Sequence, residues 1–303
     1  MKIVAPLDNP AEINPLVVLG ADEFYCGVVP KDWEEQFSDS YSINKRFRRS
    51  SNLGSFSDLE ECQREANRLG VKITYLLNNF YVPSQNDIIF QTLDRVAGMG
   101  IRDFIVTDPL LARELADRGL SITLSTTTPI FNKFSAMFFK KLGVSRVVLP
   151  RHISMHTMKE IVSNVDMDYE ALILNESCPN IDGFCRFHHF RSSKGHIRFP
   201  CALDYQIKIK GYCGPRKTKV LKDRLSSKKF KQRCGACYIS DLKAIGVNFL
   251  KIAGRGHTFE QKKKYVKFIR ESADKIGQEN PGDVMGRYKN IFGENCGQRC
   301  YLR

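Results

Sequence analysis

The chain is 303 residues long, with 42% hydrophobic and 11% aromatic residues, which is enough to bury a large core and too apolar for a disordered chain. Its formal net charge of +14 is concentrated locally: eleven basic residues and one acid, Asp223, fall within residues 206–233, leaving about +4 over the rest. This pattern excludes a uniformly basic protein, and the lack of any window of roughly 18 uncharged apolar residues excludes a helical membrane span.

In chain order, β-branched and aromatic runs predict eight strands, at residues 3–5, 23–27, 71–77, 101–107, 120–126, 145–150, 169–174 and 247–253. Helix-like stretches separate them. One covers 57–69, opening with the capping-box pattern Ser57-x-x-Glu60 and closing at Gly70; another covers 131–142 and closes at Gly143. Strands that alternate with helices pair in parallel, so eight units predict an α/β fold, a (β/α)8 TIM-barrel-like domain spanning 1–303 as one unit. Two connections are long, 28–56 and 175–246. The second is a cysteine-rich insertion between strands 7 and 8 that holds six of the ten cysteines.

Chemistry in such a barrel sits at the C-terminal ends of the strands. There the sequence places Asn78, Asp108, Thr127, Arg151, Asn175 with Glu176, and Arg255. Glu176 is the expected acid–base group, and Arg151 and Arg255 the expected anion clamps. Lys251 and Arg255 are expected either to carry positive charge to the barrel mouth or to pair with a strand-end acid such as Asp108. The plainer alternative for each residue is that a strand simply leaves the core there.

The start of the chain, Met1 to Pro10, has no apolar signal core, so a cytoplasmic location is expected, where thiols stay reduced and cysteines read as metal ligands. Only Cys234 and Cys237 form a CxxC knuckle; the wider, irregular spacing of Cys178, Cys185, Cys201 and Cys213 suits an iron–sulfur cluster better than zinc. Cys213, Cys237, Cys296 and Cys300 could form a second metal site, whereas Cys26 and Cys62 read as free thiols in a strand and a helix. His188, His189 and His196 fall in the same loop, as candidate ligands or proton carriers or as plain loop residues. Residues 206–233 combine their lysines with Tyr212 and Phe230, a pattern that can track a nucleic-acid backbone or form a solvated face.

The string Glu170-x7-Cys178-x4-Gly183-x-Cys185 resembles the signature of peptidase family U32, and so does Gly246-Val-Asn-Phe-Leu-Lys-Ile-Ala-Gly-Arg255. Ala5-Pro-Leu-Asp-Asn9, the run from Gly20 to Gly27, Asn78, Ser125-Thr-Thr-Thr128 and the run from Gly143 to Arg151 extend the resemblance over nearly the whole chain. It implies a (β/α)8-like domain with a 4Fe-4S cluster held by Cys178, Cys185, Cys201 and Cys234, with Cys237 as the alternative fourth ligand. It also implies an oxygen-independent hydroxylation or related redox modification. The substrate would be a small aromatic molecule, as in anaerobic ubiquinone biosynthesis, or an RNA base reached through residues 206–233, and a related U32-type chain could be a partner. The chain's length is closer to the small-molecule members. The family's older label implies a peptidase or hydrolase instead, and a non-catalytic RNA- or partner-binding module is a third expectation. Redox chemistry is favoured because the cysteine segment shows no Ser/His/Asp arrangement or HExxH motif. One departure is that Asn175-Glu176 stands where many members carry His-Gly.

Overall fold

The structure, a computed structural model, describes residues 1–37, 42–46, 49–175, 178, 180–185, 190–191, 197–198, 233–297 and 300–301. Eight parallel strands close into a barrel: β1 (Lys2–Pro6), β2 (Glu23–Cys26), β3 (Lys72–Leu77), β4 (Asp103–Val106), β5 (Ser121–Leu124), β6 (Arg146–Leu149), β7 (Asp168–Leu174) and β10 (Phe249–Ile252), which returns to β1. Each lies on one of the eight expected runs. Inside the long insertion, β8 (Phe190–Arg191) and β9 (Ile197–Arg198) pair antiparallel as a separate ribbon. The ring closes where Lys2, Ile3 and Val4 of β1 align with Phe249, Leu250 and Lys251 of β10.

Helices α1 (Ile13–Val18), α2 (Lys31–Phe37), α3 (Phe56–Leu69), α4 (Asn86–Gly98), α5 (Pro109–Asp117), α6 (Lys133–Lys141), α7 (Met155–Asn164), α8 (Ile239–Ala244), α9 (Phe259–Asp274) and α10 (Pro281–Phe292) follow in order. None is long and apolar enough to cross a membrane among the described residues. The start of α3 corrects the expected capping box: Ser55, in extended conformation, is the cap, its Oγ accepting the amide of Asp58 at 3.1 Å, so Ser57 lies inside the helix. The other end is as expected, with Gly70 in the left-handed region at φ 68°. The 28–56 connection holds α2, anchored by buried Trp33, and is drawn back to the barrel where Val28 bridges Leu53.

Side chains alternate along each strand. Phe24, Cys26, Ile73, Tyr75, Phe104, Ile122, Val147, Ile173 and Leu250 join the main core that also takes in the helices' buried faces. The inward-facing positions hold a small separate apolar cluster, Val4, Tyr25, Leu76, Ile105 and Phe249. Beside it lies a buried charge network. Arg146 Nη1 donates to Glu23 at 2.7 Å and to Glu170 at 3.3 Å, while Lys251 Nζ donates to the other Glu170 oxygen at 2.7 Å. The Arg146 guanidinium lies 3.5 Å over the Phe249 ring, and the Lys251 ammonium 4.2 Å from the Tyr25 ring. Burial pushes the Lys251 ammonium below its usual value, and Glu170 opposes that shift.

Cys26 and Cys62 are buried free thiols, as their positions in the sequence suggested. Burial pushes Cys62 up to about 12 from the ordinary 9, with Asp58 and Glu61 adding to the effect. The folded chain therefore holds that proton more tightly than the unfolded chain. Its contribution to stability is complete below pH about 9 and is lost as pH rises towards about 12, a loss of up to about 4 kcal/mol. Denaturant titrations between those limits should show a shallower alkaline fall for Cys62→Ala than for the parent chain; equal slopes would show that Cys62 does not set it.

A second buried ion cluster joins the first and last βα units. Lys262 of α9 is fully buried, and its Nζ donates to Asp8 at 2.6 Å and to Glu12 at 2.7 and 3.0 Å. Asp8 Oδ2 also accepts the Gly256 amide at 2.6 Å, fixing the loop after β10 against the loop after β1.

Candidate active site

The C-terminal ends of the strands form one mouth, and the insertion returns to it. Asn175, directly after β7, has φ 65°, a left-handed conformation that asparagine tolerates better than most residues. Its amide donates to the Arg233 carbonyl at 2.9 Å and its Nδ2 to the Ala253 carbonyl at 2.9 Å. That one residue ties together β7, the end of the insertion and the end of β10.

Arg151, after β6, makes the strongest link to the cysteine loop. Its Nε and Nη2 donate to the two oxygens of Asp182 at 2.9 and 3.0 Å, a bidentate pair on the three-residue turn Asp182–Phe184 between Cys178 and Cys185. Burial opposes the charge on Arg151, but the Asp182 carboxylate outweighs it and raises the guanidinium above its usual value. Gly183, part of the U32-like string, packs so closely that a Cβ there would lie 2.7 Å from the Pro129 Cα in the loop after β5. Backbone contact at that distance leaves room only for glycine. Phe184 packs against Phe131 at 4.8 Å between ring centres, the two rings tilted by 46°.

Around this turn the structure gathers two thiols and three cationic or titratable groups. Cys178 and Cys185 lie within electrostatic reach of each other; burial pushes Cys178 up to about 11, and nearby Arg151 opposes the shift. Lys45, at φ 65°, is pushed down by burial and drawn up by Cys185 and Asp182. The His152 ring, 3.3 Å from the Cys178 carbonyl through Nε2, is pushed down by burial, with Asp182 acting against it. Soft sulfur donors flanked by fixed cations suit a group that carries several thiolates and a net negative charge.

Other expected site residues are placed differently. Asp108 caps α5, accepting the Leu110 amide at 2.8 Å, and is not the acid that meets Lys251. Lys251 lies inside the barrel on Glu170 rather than at the mouth, because its strand position points inward. Arg255 is buried, with Nη2 donating to the Asn44 carbonyl at 2.7 Å, so it braces the 42–46 segment instead of standing open as a clamp. Thr127 shares a 2.5 Å hydroxyl contact with Thr107. Asn78 is at the mouth, and its buried Oδ1 finds no hydrogen-bond partner among the described residues, while neighbouring Asn79 donates to the Ser42 carbonyl at 2.6 Å.

Glu176, Cys201, Cys213, His188, His189, His196 and residues 206–232 lie outside the described residues. Cys234 follows Arg233 at the top of β7, bridges Cys300 through the backbone, and has Cys237, Cys296 and Cys300 within electrostatic reach. Sequence reasoning missed Lys45 and Asp182. An acid between two cysteines four residues after Cys178 was a readable signal for Asp182. Lys45 had none, since it reaches the site only through the fold of the 28–56 connection.

A closed (β/α)8 barrel whose turn between Cys178 and Cys185 is held at the C-terminal mouth by Arg151 defines the class of fold. The model of peptidase family U32 matches residues 8–298, and the chain belongs to that family. Among curated relatives it is 26% identical over 216 residues to tRNA hydroxylation protein P1 of Bacillus subtilis, covering 68% of this chain and 47% of the relative. It is 24% identical over 218 residues to tRNA hydroxylation protein P of Helicobacter pylori, covering 69% and 48%. An uncharacterized protease of Methanocaldococcus jannaschii is 24% identical over 290 residues, covering 91% and 66%. The chain thus spans about half the length of the tRNA hydroxylation proteins it matches. A solved structure titled as a U32 peptidase aligns over 84% of this chain and 93% of its own, at 11% identity and a TM-score of 0.47.

Proposed function

We propose that this chain takes part in the oxygen-independent hydroxylation of an RNA base, tRNA being the first substrate to test, in the cytoplasm and with a 4Fe-4S cluster at the barrel mouth. The observation that carries the reading is the similarity to proteins named for tRNA hydroxylation across more than two thirds of the chain. The concentration of positive charge in 206–233 supports it, because phosphate contacts supply most non-specific nucleic-acid affinity. These two observations move the reading from a small aromatic substrate to RNA.

The cluster would be held by Cys178, Cys185, Cys201 and Cys234. The donor chemistry at the described thiols fits it, since Cys178 and Cys185 flank the turn that Arg151 holds through Asp182, with Lys45 within electrostatic reach of Cys185. When bound, such a cluster supplies one-electron redox chemistry at the mouth. The chain's own residues do the rest. Arg151 holds the Asp182 turn, and with it both cysteines, at the strand ends. Asn78 presents an unsatisfied carbonyl oxygen that can accept a hydrogen bond from a base edge. Glu176 would hold or release the proton at the base, and Arg255 keeps the 42–46 wall in place.

The test is to express the chain in cells lacking their own tRNA hydroxylation protein and to look by mass spectrometry for nucleosides carrying one added oxygen. The reading expects such a nucleoside with the parent chain. It expects none with Cys178→Ser, which should also lose iron, and at least about 100-fold less with Glu176→Gln, which should keep its iron. Normal product from Glu176→Gln would end that residue's role. Peptide cleavage that persists after iron loss, with no modified nucleoside, would replace the whole reading by the peptidase that the family name suggests.

A further inference from the structure

The large apolar side chains left exposed are not scattered over the surface. Of eight among the described residues, five fall in two segments: Ile181 and Phe184 on the turn between the cysteines, and Phe134, Met137 and Phe138 on α6. The ring of Phe131, two residues before α6, packs against that of Phe184 and joins the two segments into one surface. Positions 134, 137 and 138 share one face of the helix, and Lys141 continues it. Because α6 follows β5, its first turn starts at the barrel mouth, and Phe134 stands nearest to that mouth. Phe184 itself is held out rigidly. Its turn is fixed by Asp182 on Arg151 at 2.9 and 3.0 Å and by Gly183 against Pro129, and its ring is backed by Phe131, yet it stays 60% exposed.

The charges on this surface say what covers it. Helix α6 carries three lysines and no acid. Lys141 is exposed, and Lys133 and Lys140 meet Glu160 and Asp166 only in partly exposed pairs at 3.6 and 3.8 Å, which contribute little and yield to another anion. Exposed rings interleaved with lysines fit a single-stranded nucleic acid, whose bases stack on the rings while its phosphates meet the cations. We propose that Phe184, backed by Phe131, is the stacking platform for an unpaired nucleobase beside the one that enters the mouth. This rests on the RNA reading above. Phe184 directly precedes Cys185, so a base stacked there lies next to the reacting position. It is a positioning residue: a ring already fixed by its turn gives up little freedom on stacking, and the strand is placed without the ring entering the chemistry.

The experiment is filter binding of the full chain, purified anaerobically, to tRNA taken from cells lacking their own tRNA hydroxylation protein, at several salt concentrations. Phe184→Ala should weaken binding about 5- to 150-fold, the worth of one stacked base, and by the same factor at each salt concentration because the lost contact is uncharged. Phe184→Leu, which keeps apolar bulk without a ring, should bind as weakly as Phe184→Ala, and Phe184→Trp at least as tightly as the parent. Equal affinity for parent and Phe184→Ala, or parent-like affinity for Phe184→Leu, overturns the platform and leaves the RNA reading intact. A parent chain that does not bind tRNA overturns both. A parent that elutes as a dimer, and as a monomer after Phe184→Ala with tRNA affinity unchanged, gives the surface to a second copy of the chain instead. If Phe184→Ala fails to fold, fluorescence of Phe184→Trp decides the matter. The chain's single tryptophan, Trp33, is buried, so quenching of the introduced indole by tRNA supports the platform and its absence overturns it.

Discussion

Replacing Arg146 by alanine should lower the unfolding free energy by about 3–5 kcal/mol, because it leaves carboxylates buried without their cation. Glu23 and Glu170 are 2% and 1% exposed, and Arg146 is the group that satisfies both. Alanine also removes the guanidinium from the Phe249 face and opens a void in the barrel centre. Lys251 still meets Glu170, so the greater loss falls on Glu23, whose remaining described cation is the partly exposed Lys2 at 3.8 Å. A combined Glu23→Gln/Arg146→Met variant should recover part of the loss, because neutral groups of similar volume cost less to bury than a lone charge. Urea titrations of the three proteins test this. If Arg146→Ala costs less than about 1 kcal/mol, water reaches the barrel interior and the network is not dry.

Lys262→Met should have an effect of similar size, about 3–5 kcal/mol, at the opposite edge of the molecule's chemistry. Methionine nearly matches the lysine stem in volume, so packing changes little and the loss isolates the charge on Asp8 and Glu12. The consequence should reach function as well. Asp8 also holds the Gly256 amide, and Gly256 follows Arg255, which braces the 42–46 segment that carries Lys45 to the thiols. The double variant Glu12→Gln/Lys262→Met should regain part of the stability. Unchanged denaturation midpoints for Lys262→Met would show that Asp8 and Glu12 become protonated at little cost.

Most of the barrel was legible in the sequence because its strands are short apolar runs set off by turn residues, and all eight runs proved to be strands. What the runs concealed was their inner face. Lys251 was expected at the mouth or on a strand-end acid and nothing in the runs singled out Glu23, Arg146 or Glu170, yet Arg146 joins Glu23 to Glu170 and Lys251 meets Glu170 inside the barrel, which only the register of closure decides. At the site, Arg151 was recognisable from its place after a strand and Asp182 could have been from its place between two cysteines, but their pairing comes from a loop return that local pattern does not encode. Asp108 illustrates the ambiguity of such positions: a carboxylate after a strand is equally well the cap of the next helix, and here it accepts the Leu110 amide.

The seam between β1 and β10 also bears on how the chain is made. Lys262 and Asp8 are 254 residues apart, and β1 has no neighbour on that side until β10 has been synthesised. At roughly 5–20 residues per second a ribosome needs on the order of 10–50 s to cover that distance. Throughout that interval the nascent chain carries an open parallel sheet with an unpaired first strand, a ready template for wrong partners. Mispairing at that edge is therefore a hazard of synthesis that the closed ring no longer presents.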